Sequence, residues 1–491
     1  MTLSVTNTLS GDQEVFTVDD EEVLLYVCGL TVSDDPHLGH ARLWLHADVL
    51  HRWLEYLGYS VRHVENVTDV NEKIVAHIGE RGLGDSEPAV AHSYLQSVLA
   101  GMRGLNLLRA EVYPRVSEHI AEIIDLVETL VEQGHAYESN GSVYFDVTTF
   151  DRYGALSNQD PTELDPQGPD EELAEKRHPQ DFALWKADGV DPSAIAEHRD
   201  GPMPAEPPTG ETWESPWGPG RPGWHVECSA MSMTHLGETI DIHMGGRDLV
   251  FPHHENEIAQ SEAATGQEFV RYWLHNGLLQ TDGEKMSSSL GNFTTVADAL
   301  AEYGVNVVRT FYLGAAYRSD QTLSAETMAE AEQRWDRLRR AYEDAVAACD
   351  GVDARTKADD EALREAVAAT RSSFETAMND DLNVREAMTA LLELASAVHR
   401  HLDAGTPYDY RGLRRSVETF ETFGEDVFGL QFGTTTDGTA DLAEDLVELV
   451  LDLRAAEREA GHYDRADALR ADLEALGVDV EDTPEGPEFS L

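Results

Sequence analysis

The segment VFPHHENEIAQ (250–260) places two histidines and two glutamates within five consecutive positions, a pattern that can hold a metal ion. Two ligands on one face of a helix need a spacing of three or four residues. Glu257 follows His253 by four residues and His254 by three, so spacing alone leaves both histidines as candidates. The alternative interpretation is the polar, solvated first turn of a helix.

The three cysteines add further candidate ligands. Cys28 follows an apolar run and Cys228 lies in GWHVECSAM, whereas Cys349 lies in an apolar helical stretch and is typical of a small core residue. Two thiolates, one imidazole and one carboxylate would satisfy the four-coordinate preference of zinc. Three cysteines are too few for a disulfide framework, so we expect a reducing, cytosolic setting. No segment is typical of a signal peptide or a membrane span.

A second chemical pattern is CGLTVSDDPHLGHARLW (28–44), in which His37 and His40 flank Gly39 where a predicted strand passes into a predicted helix. A helix N-terminus presents free N–H groups and a positive dipole end to an anion. Two imidazoles there can donate hydrogen bonds to phosphate oxygens as charge develops. The chain has no GxxxxGK[ST] phosphate loop, which leaves these groups as the best phosphate binders. The alternative is a helix cap that contains histidine.

A third pattern is LLQTDGEKMSSSLGNF (278–293), where Lys285 lies between two glycines and is followed by three serines. A mobile loop with a cation and hydroxyl groups could fold over a triphosphate. Taken alone, the segment equally fits a polar surface loop.

The charge of the chain indicates its environment. The net charge is −57, from 93 acidic and 36 basic residues, and only five of the basic residues are lysine (Lys73, Lys176, Lys186, Lys285 and Lys357). Such a surface repels itself strongly unless salt screens it, so we interpret the protein as adapted to very high salt. The alternative is an acidic protein that binds cations or basic partners. In either case, each of the five lysines is informative about function because lysine is so rare in this chain.

The hydrophobic pattern predicts the elements that must position these residues. A strand, a helix and a second strand are predicted over 22–30, 41–58 and 59–70, an alternation typical of a parallel, nucleotide-binding sheet. The pattern further predicts a helix at 114–135, an Asn-Gly hairpin at 135–147, long loops at 158–222, a helix at 223–237, a strand at 239–246, helices over 296–404, a break at 403–410 and a helical module at 437–477.

An ordered set of long segments resembles the class I cysteinyl-tRNA synthetases over nearly the whole chain. CGLTVSDDPHLGHAR is similar to the family's CGPTVYDxxHIGHAR, NVTDVNEKI to NITDVDDKI, and KMSSSLGNF to KMSKSLGNF. GWHVECSAM, DIHMGGRDLVFPHHENEIAQSEA and YDRADALRADLEALGVDVEDTPEG also resemble segments of that family. The resemblance implies an α/β fold with a Rossmann-type parallel-sheet catalytic domain and an insertion, followed by an α-helical bundle and a small C-terminal anticodon-binding module.

The resemblance also implies site residues. It assigns one Zn²⁺ per chain to Cys28, Cys228, His253 and Glu257, where the metal binds the thiolate of the substrate cysteine. Thr68 and Trp224 are implied for the substrate cysteine. Catalysis and binding of Mg²⁺-ATP are implied for His37, Gly39, His40, Lys285, Ser287, Ser288 and Asp248. The implied reaction joins L-cysteine to tRNA(Cys) through a cysteinyl-adenylate and releases pyrophosphate and AMP.

One departure from the family pattern concerns the triphosphate. Ser288 replaces the second lysine of KMSKS, to which triphosphate binding is usually credited. Lys285 or solvent cations could serve instead, which leaves the role of position 288 open.

Three other functions account for part of the sequence. A cysteine ligase that acts on a sugar amine would lack a full anticodon module, and the helical region after about 310 argues against it. A non-catalytic tRNA-binding paralogue is disfavoured by the intact HLGH and the complete ligand set. A zinc hydrolase that uses HHENE is disfavoured because the segment lacks the HExxH pattern. That function would also leave the adenylate motifs unexplained.

The resemblance divides the chain into a catalytic domain at 1–295 with an insertion at about 135–222, a stem-contact region at 296–328, a helical tRNA-binding bundle at 329–425 and the C-terminal module at 426–491. We expect a monomer. Because a strongly acidic chain must still bind a polyanion, we expect local arginines to contact tRNA, namely Arg334, Arg337, Arg339, Arg340, Arg411, Arg414, Arg415, Arg465 and Arg470.

Overall fold

A four-stranded parallel sheet underlies the predicted phosphate-binding and cysteine-containing segments. The computed structural model describes residues 2–159, 166, 170–281, 284–285 and 293–433, with scattered residues between 447 and 490. The sheet order is Val270–Asn276, Ile240–Gly246, Glu22–Val27, Ser60–Glu65, and every neighbouring pair is parallel. The apolar, largely buried strands are typical of a parallel sheet that is covered on both faces. The predicted α/β fold is confirmed.

The first strand and the first long helix meet at the edge where ligands bind such sheets. Glu22–Val27 ends one residue before Cys28, and the helix Leu38–Tyr56 then leads to Ser60–Glu65. Ser60–Glu65 lies on one side of Glu22–Val27, and Ile240–Gly246, the next strand of this sheet along the chain, lies on the other side. The strand order therefore reverses at the carboxyl end of Glu22–Val27, and open α/β sheets bind ligands at such a switch point.

The insertion contains a second sheet. Its hairpin joins Ala136–Ser139 to Ser142–Phe145 through Asn140 (φ 54°) and Gly141 (φ 87°), the two positive φ angles that a type I′ turn requires. The hairpin prediction is therefore confirmed. The prediction of an insertion with long loops over 158–222 missed two strands, because Phe182–Ala187 and Gly220–Pro222 extend the hairpin into a four-stranded antiparallel sheet.

The predicted helices are present in the structure, but their first and last residues differ from the predicted ones. The predicted helices at 114–135 and 223–237 correspond to Ile120–Gln133 and Trp224–Leu236. The predicted helical region from 296 is broken into Val296–Tyr312, Ala325–Asp350, Glu361–Asn379 and Val384–Asp403, followed after the predicted break by Tyr410–Phe420. The other described α-helices are Glu72–Ala76, Glu87–Gly104, Asp170–Leu173, Pro192–His198 and Glu255–Thr265. Short 3₁₀ turns lie at Val116–Glu118, Val147–Thr149 and Arg247–Leu249, and π-helical segments at Val250–His254 and Glu421–Val427.

Short strand pairs complete the described elements. They are Ser4–Thr6 with Gln13–Val15, Leu279–Thr281 with Glu284–Lys285 and Gln321–Leu323, Ala354–Arg355 with Tyr408–Asp409, and Asp479–Thr483 with Gly486–Ser490.

A buried arginine ties the helices that follow the sheet to the helix that starts at the site. Arg309 is fully buried and its Nη2 lies 2.6 Å from the Asp48 carboxylate on Leu38–Tyr56. Its other nitrogens donate to the carbonyls of Leu105 (2.7 Å) and Phe428 (2.8 Å). A buried charge is tolerated only when paired and hydrogen-bonded, as it is here. This joint fixes the helix Val296–Tyr312 and the chain at Phe428 against the helix Leu38–Tyr56.

The chain divides into two compact units, Met1–Leu430 and Gln431–Leu491. Most of the predicted helical module at 437–477 lies outside the described residues; among those described, Val447, Leu451 and Leu473 form a small apolar cluster. Among the described helices of both units, none has the length and apolar character that a membrane crossing would need.

Candidate functional site

Four predicted ligands converge beneath the carboxyl end of the sheet. Cys28 follows the Glu22–Val27 strand, and Cys228 lies on the Trp224–Leu236 helix. The Nε2 atom of His253 lies 3.5 Å from Cys228 Sγ and 2.9 Å from Glu257 Oε1. All four side chains are at most 5% exposed. Residues that are 229 positions apart in sequence thus meet in one buried, polar cluster.

Two further histidines orient these side chains, and the sequence did not identify either of them. His243 Nε2 donates to Glu257 Oε2 at 2.9 Å, and His225 Nδ1 lies 2.9 Å from His253 Nδ1. Both rings are buried. These bonds hold His253 Nε2 and Glu257 Oε1 toward each other. Alternation along the strand IDIHMGG is the only sequence signal that could have placed His243 inward.

The neighbouring histidine, His254, also reaches the cluster. Ligand atoms of Cys28, His253, His254 and Glu257 all lie within 4.8 Å of one another. His254 Nδ1 lies 2.8 Å from His275 Nε2, and the Cε1–Nε2 edge of its ring faces Gly245, where an added Cβ would lie 2.4 Å from Cε1. Glycine at 245 is therefore required by the close approach of this ring. The structure brings both histidines of the opening segment into one cluster.

The buried groups of the cluster stabilise one another's charged forms. Burial opposes ionisation, yet His243 and His253 together lower the pKa of Glu257 to about 2. Burial likewise opposes charge on His253, but the Glu257 carboxylate and Cys228 raise its pKa to about 10. The hydrogen bond with Cys28 and then burial raise the pKa of Cys228 well above its ordinary value. A cation is therefore stabilised beside Glu257, whether it is a proton or a metal ion.

Cys28, Cys228 and His253 form the floor of a cavity of about 420 Å³, and the predicted phosphate binders lie in its wall. His37 is the N-cap of Leu38–Tyr56, and its ring stacks on His40 at a centroid distance of 3.7 Å. The His37 backbone N–H donates to His40 Nδ1 (3.3 Å), so the ring proton of a neutral His40 is on Nε2. Gly39 lies between them in the cavity wall.

The start of this helix is held in place by two residues that lie much later in the sequence, Thr294 and Tyr312. The Leu38 backbone N–H donates to the Thr294 carbonyl (3.0 Å), and the Tyr312 hydroxyl donates to the Leu38 carbonyl (2.6 Å). The predicted phosphate-binding turn is therefore supported on two sides.

The other predicted substrate residues line the same cavity. Trp224 begins its helix, is 42% exposed and packs against His253 with the ring planes 32° apart and a centroid distance of 4.4 Å. Thr68 is buried and accepts a 3.3 Å hydrogen bond from Asn66 Nδ2. Asp248, on the turn Arg247–Leu249, lies in the wall as well.

The predicted triphosphate loop is described only in part. Lys285 lies in the short strand Glu284–Lys285, which pairs with Leu279–Thr281. Ser287 and Ser288 lie outside the described residues.

Most of the predicted tRNA-binding arginines are paired with acids or carbonyls in the structure. Arg334 contacts Glu330 (2.8 Å) and Arg340 contacts Asp336 (3.0 Å). Arg339 contacts Glu343, Arg337 donates to the Leu392 carbonyl, and Arg414 contacts Glu418. Arg411 and Arg415 are exposed on Tyr410–Phe420, and Arg465 and Arg470 belong to the second unit.

Comparison with known proteins agrees with this geometry. The family described as "tRNA synthetases class I (C) catalytic domain" matches residues 14–333, and the DALR domain matches residues 373–433. The chain is 65% identical over 495 residues to a cysteine–tRNA ligase of Haloarcula marismortui, with 100% of both chains covered. It is 62% identical over 490 residues to a cysteine–tRNA ligase of Halobacterium salinarum, with 99% of each covered.

A solved structure supports the fold. The methionyl-tRNA synthetase of Mycobacterium tuberculosis, solved with methionyl-adenylate, matches with a TM-score of 0.58 at 16% identity and covers 83% of this chain and 89% of its own. The halophilic origin inferred from the net charge of −57 fits the two haloarchaeal relatives. By its sequence over the full length and by its fold, the chain belongs to the cysteine–tRNA ligases, a family of class I aminoacyl-tRNA synthetases.

Proposed function

We propose that the enzyme activates L-cysteine as cysteinyl-adenylate and transfers it to tRNA(Cys), and that one zinc ion held by Cys28, Cys228, His253 and Glu257 selects the substrate thiolate. The observation that carries this proposal is the convergence of two thiols and an imidazole on the floor of the cavity below Trp224, with the buried Glu257 carboxylate 2.9 Å from that imidazole. His254 is proposed to support the cluster through its bond to His275 rather than to bind the metal.

The residues present fit zinc. A tetrahedral zinc site with N, O and S ligands keeps its ligand atoms roughly 3.3–3.8 Å apart. Cys228 Sγ and His253 Nε2 are 3.5 Å apart. Glu257 Oε1 lies 2.9 Å from His253 Nε2 and has no hydrogen-bond partner among the described residues, so this buried oxygen is available to a cation. Zinc bound here would supply a borderline-soft centre that favours a thiolate over the hydroxyl of serine.

The chain's own residues position the reactants of the first step. The substrate carboxylate attacks the α-phosphate of Mg²⁺-bound ATP, and pyrophosphate leaves. The helix N-terminus at His37, with Gly39 and His40, stabilises the charge that develops on the phosphate oxygens. Asp248 is assigned to the ribose, and Lys285, Ser287 and Ser288 to the triphosphate. Trp224 and Thr68 hold the amino acid near the α-phosphate, and such positioning supplies most of the rate enhancement.

In the second step a ribose hydroxyl at the 3′ end of tRNA attacks the activated carbonyl carbon. The ester bond forms, the bond to the phosphate oxygen breaks, AMP leaves with that electron pair, and the hydroxyl proton passes to solvent. The bundle at 329–425 and the module at 426–491 are assigned to tRNA binding, with the arginines named above as contacts.

The proposal is tested by ATP–pyrophosphate exchange with cysteine and with serine, before and after removal of metal by a chelator. Cysteine-dependent exchange that is lost on chelation and restored by zinc is expected. Exchange that needs no cysteine, or discrimination against serine that survives without metal, would overturn it.

A further inference from the structure

The carboxylate of Asp320 bridges two chain segments beside the cavity that contains the cysteine cluster. Its Oδ1 accepts the backbone N–H of Leu278 (2.9 Å) and a hydrogen bond from Arg247 Nη2 (2.7 Å). Its Oδ2 lies 3.0 Å from the same Arg247 nitrogen and accepts from Gln280 Nε2 at 3.2 Å. Burial opposes charge on this carboxyl, but the Leu278 N–H and Arg247 lower its pKa. Asp320 is therefore an ionised acceptor for donors from two segments.

These two segments follow neighbouring strands of the parallel sheet. Arg247 comes directly after the strand Ile240–Gly246, and Leu278 lies two residues after the strand Val270–Asn276. The ladder pairs these strands as far as their last residues, and beyond them the chains leave the sheet separately. Open α/β sheets bind their ligands just outside these carboxyl ends. Asp320 thus links the two segments where the strand pairing has ended.

The backbone that carries Asp320 is itself held in place. Arg42, which is buried and lines the cavity, donates from Nη2 to the Tyr317 carbonyl (3.4 Å) and to the Ser319 carbonyl. The Tyr317 carbonyl also accepts the N–H of Gly277 (2.8 Å), and a Cβ added to Gly277 would lie 2.3 Å from the Ser319 oxygen. Because this backbone is fixed by contacts, the position of Asp320 can determine the positions of its partners.

We propose that Asp320 is a positioning residue for ATP, because it fixes the distance between Asp248 and the backbone at Leu278 and Leu279. This inference rests on the proposed function, in which Asp248 is assigned to the ribose. Asp248, Leu278 and Leu279 line the cavity, whereas Asp320 and Arg247 do not. The ion pair therefore acts through the residues that it holds and does not touch the nucleotide.

The exposure of this pair separates its effect on binding from its effect on folding. The side chains of Arg247 and Asp320 are 49% and 34% exposed, and ion pairs with such exposure contribute little to folding stability. Their effect on a bound substrate can be larger, because misplacement of a positioning group by about 1 Å can cost about 100-fold in rate. We therefore expect substitutions here to change ATP binding and to leave the unfolding midpoint nearly unchanged.

The test is cysteine-dependent ATP–pyrophosphate exchange by the full chain in molar KCl, measured over a range of ATP and of cysteine concentrations. Asp320→Asn keeps an oxygen for the Leu278 N–H and loses the charge that holds Arg247. It is expected to raise the KM for ATP about 10-fold, the scale of one charged hydrogen bond. Both kcat and the KM for cysteine should stay within about twofold of wild type. Asp320→Ala also removes the acceptor of the Leu278 N–H and should raise the KM for ATP further.

The matched control is Asp241→Asn. Asp241 Oδ2 accepts the backbone N–H of Leu24 (2.9 Å), and its Oδ1 lies 3.7 Å from Arg271 Nη1. The same three kinds of group therefore meet in the same sheet, but near the amino end of the strand Ile240–Gly246 and away from the cavity. The KM for ATP of this variant should equal that of the wild type.

Variants of Arg247 test the same contact from its other side, and they apply even if Asp320→Asn folds poorly. Arg247→Met leaves the bond between Asp320 and Leu278 in place and should raise the KM for ATP by a similar factor, and Arg247→Lys should restore part of the loss. The double variant with Asp320→Asn should lose little more than either single variant, since both changes remove one contact.

Three results would overturn this inference. They are an unchanged KM for ATP in a folded variant of either residue, equal rises in the KM for ATP and the KM for cysteine, and fully additive losses in the double variant. Failure of cysteine-dependent exchange in the wild-type enzyme would instead overturn the proposed function.

Discussion

The Nε2–H of His243 donates a 2.9 Å hydrogen bond to Glu257 Oε2, and both side chains are fully buried. The bond joins the strand Ile240–Gly246 to the helix Glu255–Thr265. Because Oε2 is engaged by His243, Oε1 is the oxygen that faces His253 at 2.9 Å. His243 therefore sets the orientation of a proposed zinc ligand without binding the metal.

Replacement of His243 by alanine is expected to weaken zinc binding about 10- to 100-fold, as is usual when a hydrogen-bond partner of a metal ligand is removed. Competition for zinc with a chromophoric chelator measures the change. His63→Ala is the matched control, because His63 is also buried in a strand of the sheet and its ring nitrogens have no hydrogen-bond partner among the described residues. Equal zinc affinity in the two variants would contradict the assigned role.

The Arg309–Asp48 joint predicts a large stability effect. Arg309→Met leaves Asp48 buried without its main partner, and removal of one member of a buried pair typically costs about 3–5 kcal/mol. Denaturant unfolding in molar KCl measures this loss. The control Arg334→Met breaks only the half-exposed pair with Glu330, for which about 0.5 kcal/mol or less is expected. Similar losses for both arginines would show that the joint is not the stronger contact.

Glu65 predicts a pH dependence of stability. Burial raises the pKa of this carboxyl to about 8, against a hydrogen bond from Trp44 that lowers it. Since the folded-state pKa lies above the unfolded value of about 4.3, the stabilisation is fully present below that value and is lost as pH rises through about 8. Glu65→Gln accepts the same Trp44 bond and does not ionise. The thermal midpoint of the variant minus that of the wild type should therefore increase from pH 5 to pH 8. A difference that stays constant over this range would refute the raised pKa.

The acidic surface predicts a salt requirement. At an ionic strength of 0.1 M the screening length is about 10 Å, and at 1 M it is about 3 Å, so repulsion within a chain of charge −57 falls steeply over this range. Aminoacylation measured across KCl concentrations should rise toward molar salt. Loss of activity as salt approaches saturation would contradict adaptation to high salt.

The sequence predicted the features that local chemistry determines. The Asn140–Gly141 turn, the helix at Trp224–Leu236 and the strand at Ile240–Gly246 follow from turn residues and periodicity. The edge strand Val270–Asn276 was missed because Arg271, His275 and Asn276 interrupt its apolar run. The strands within 158–222 were missed because proline and glycine dominate that region.

The candidate site likewise combines features that the sequence predicts with features that depend on the folded structure. Ligand types could be named from sequence with the help of family resemblance, because spacing alone left His253 and His254 equivalent. The supporting bonds from His225, His243 and His275 depend on distances between elements that only the folded chain brings together.

The most direct test of the central claim uses protein in which cobalt(II) replaces zinc, a substitution that gives the metal a visible spectrum while keeping N and S ligands. L-cysteine and L-serine are titrated separately without ATP or tRNA. A new thiolate-to-metal absorption with cysteine and no change with serine is the predicted result. Equal spectra with both amino acids, or tight cysteine binding that leaves the metal spectrum unchanged, would contradict recognition of the substrate thiol by the metal.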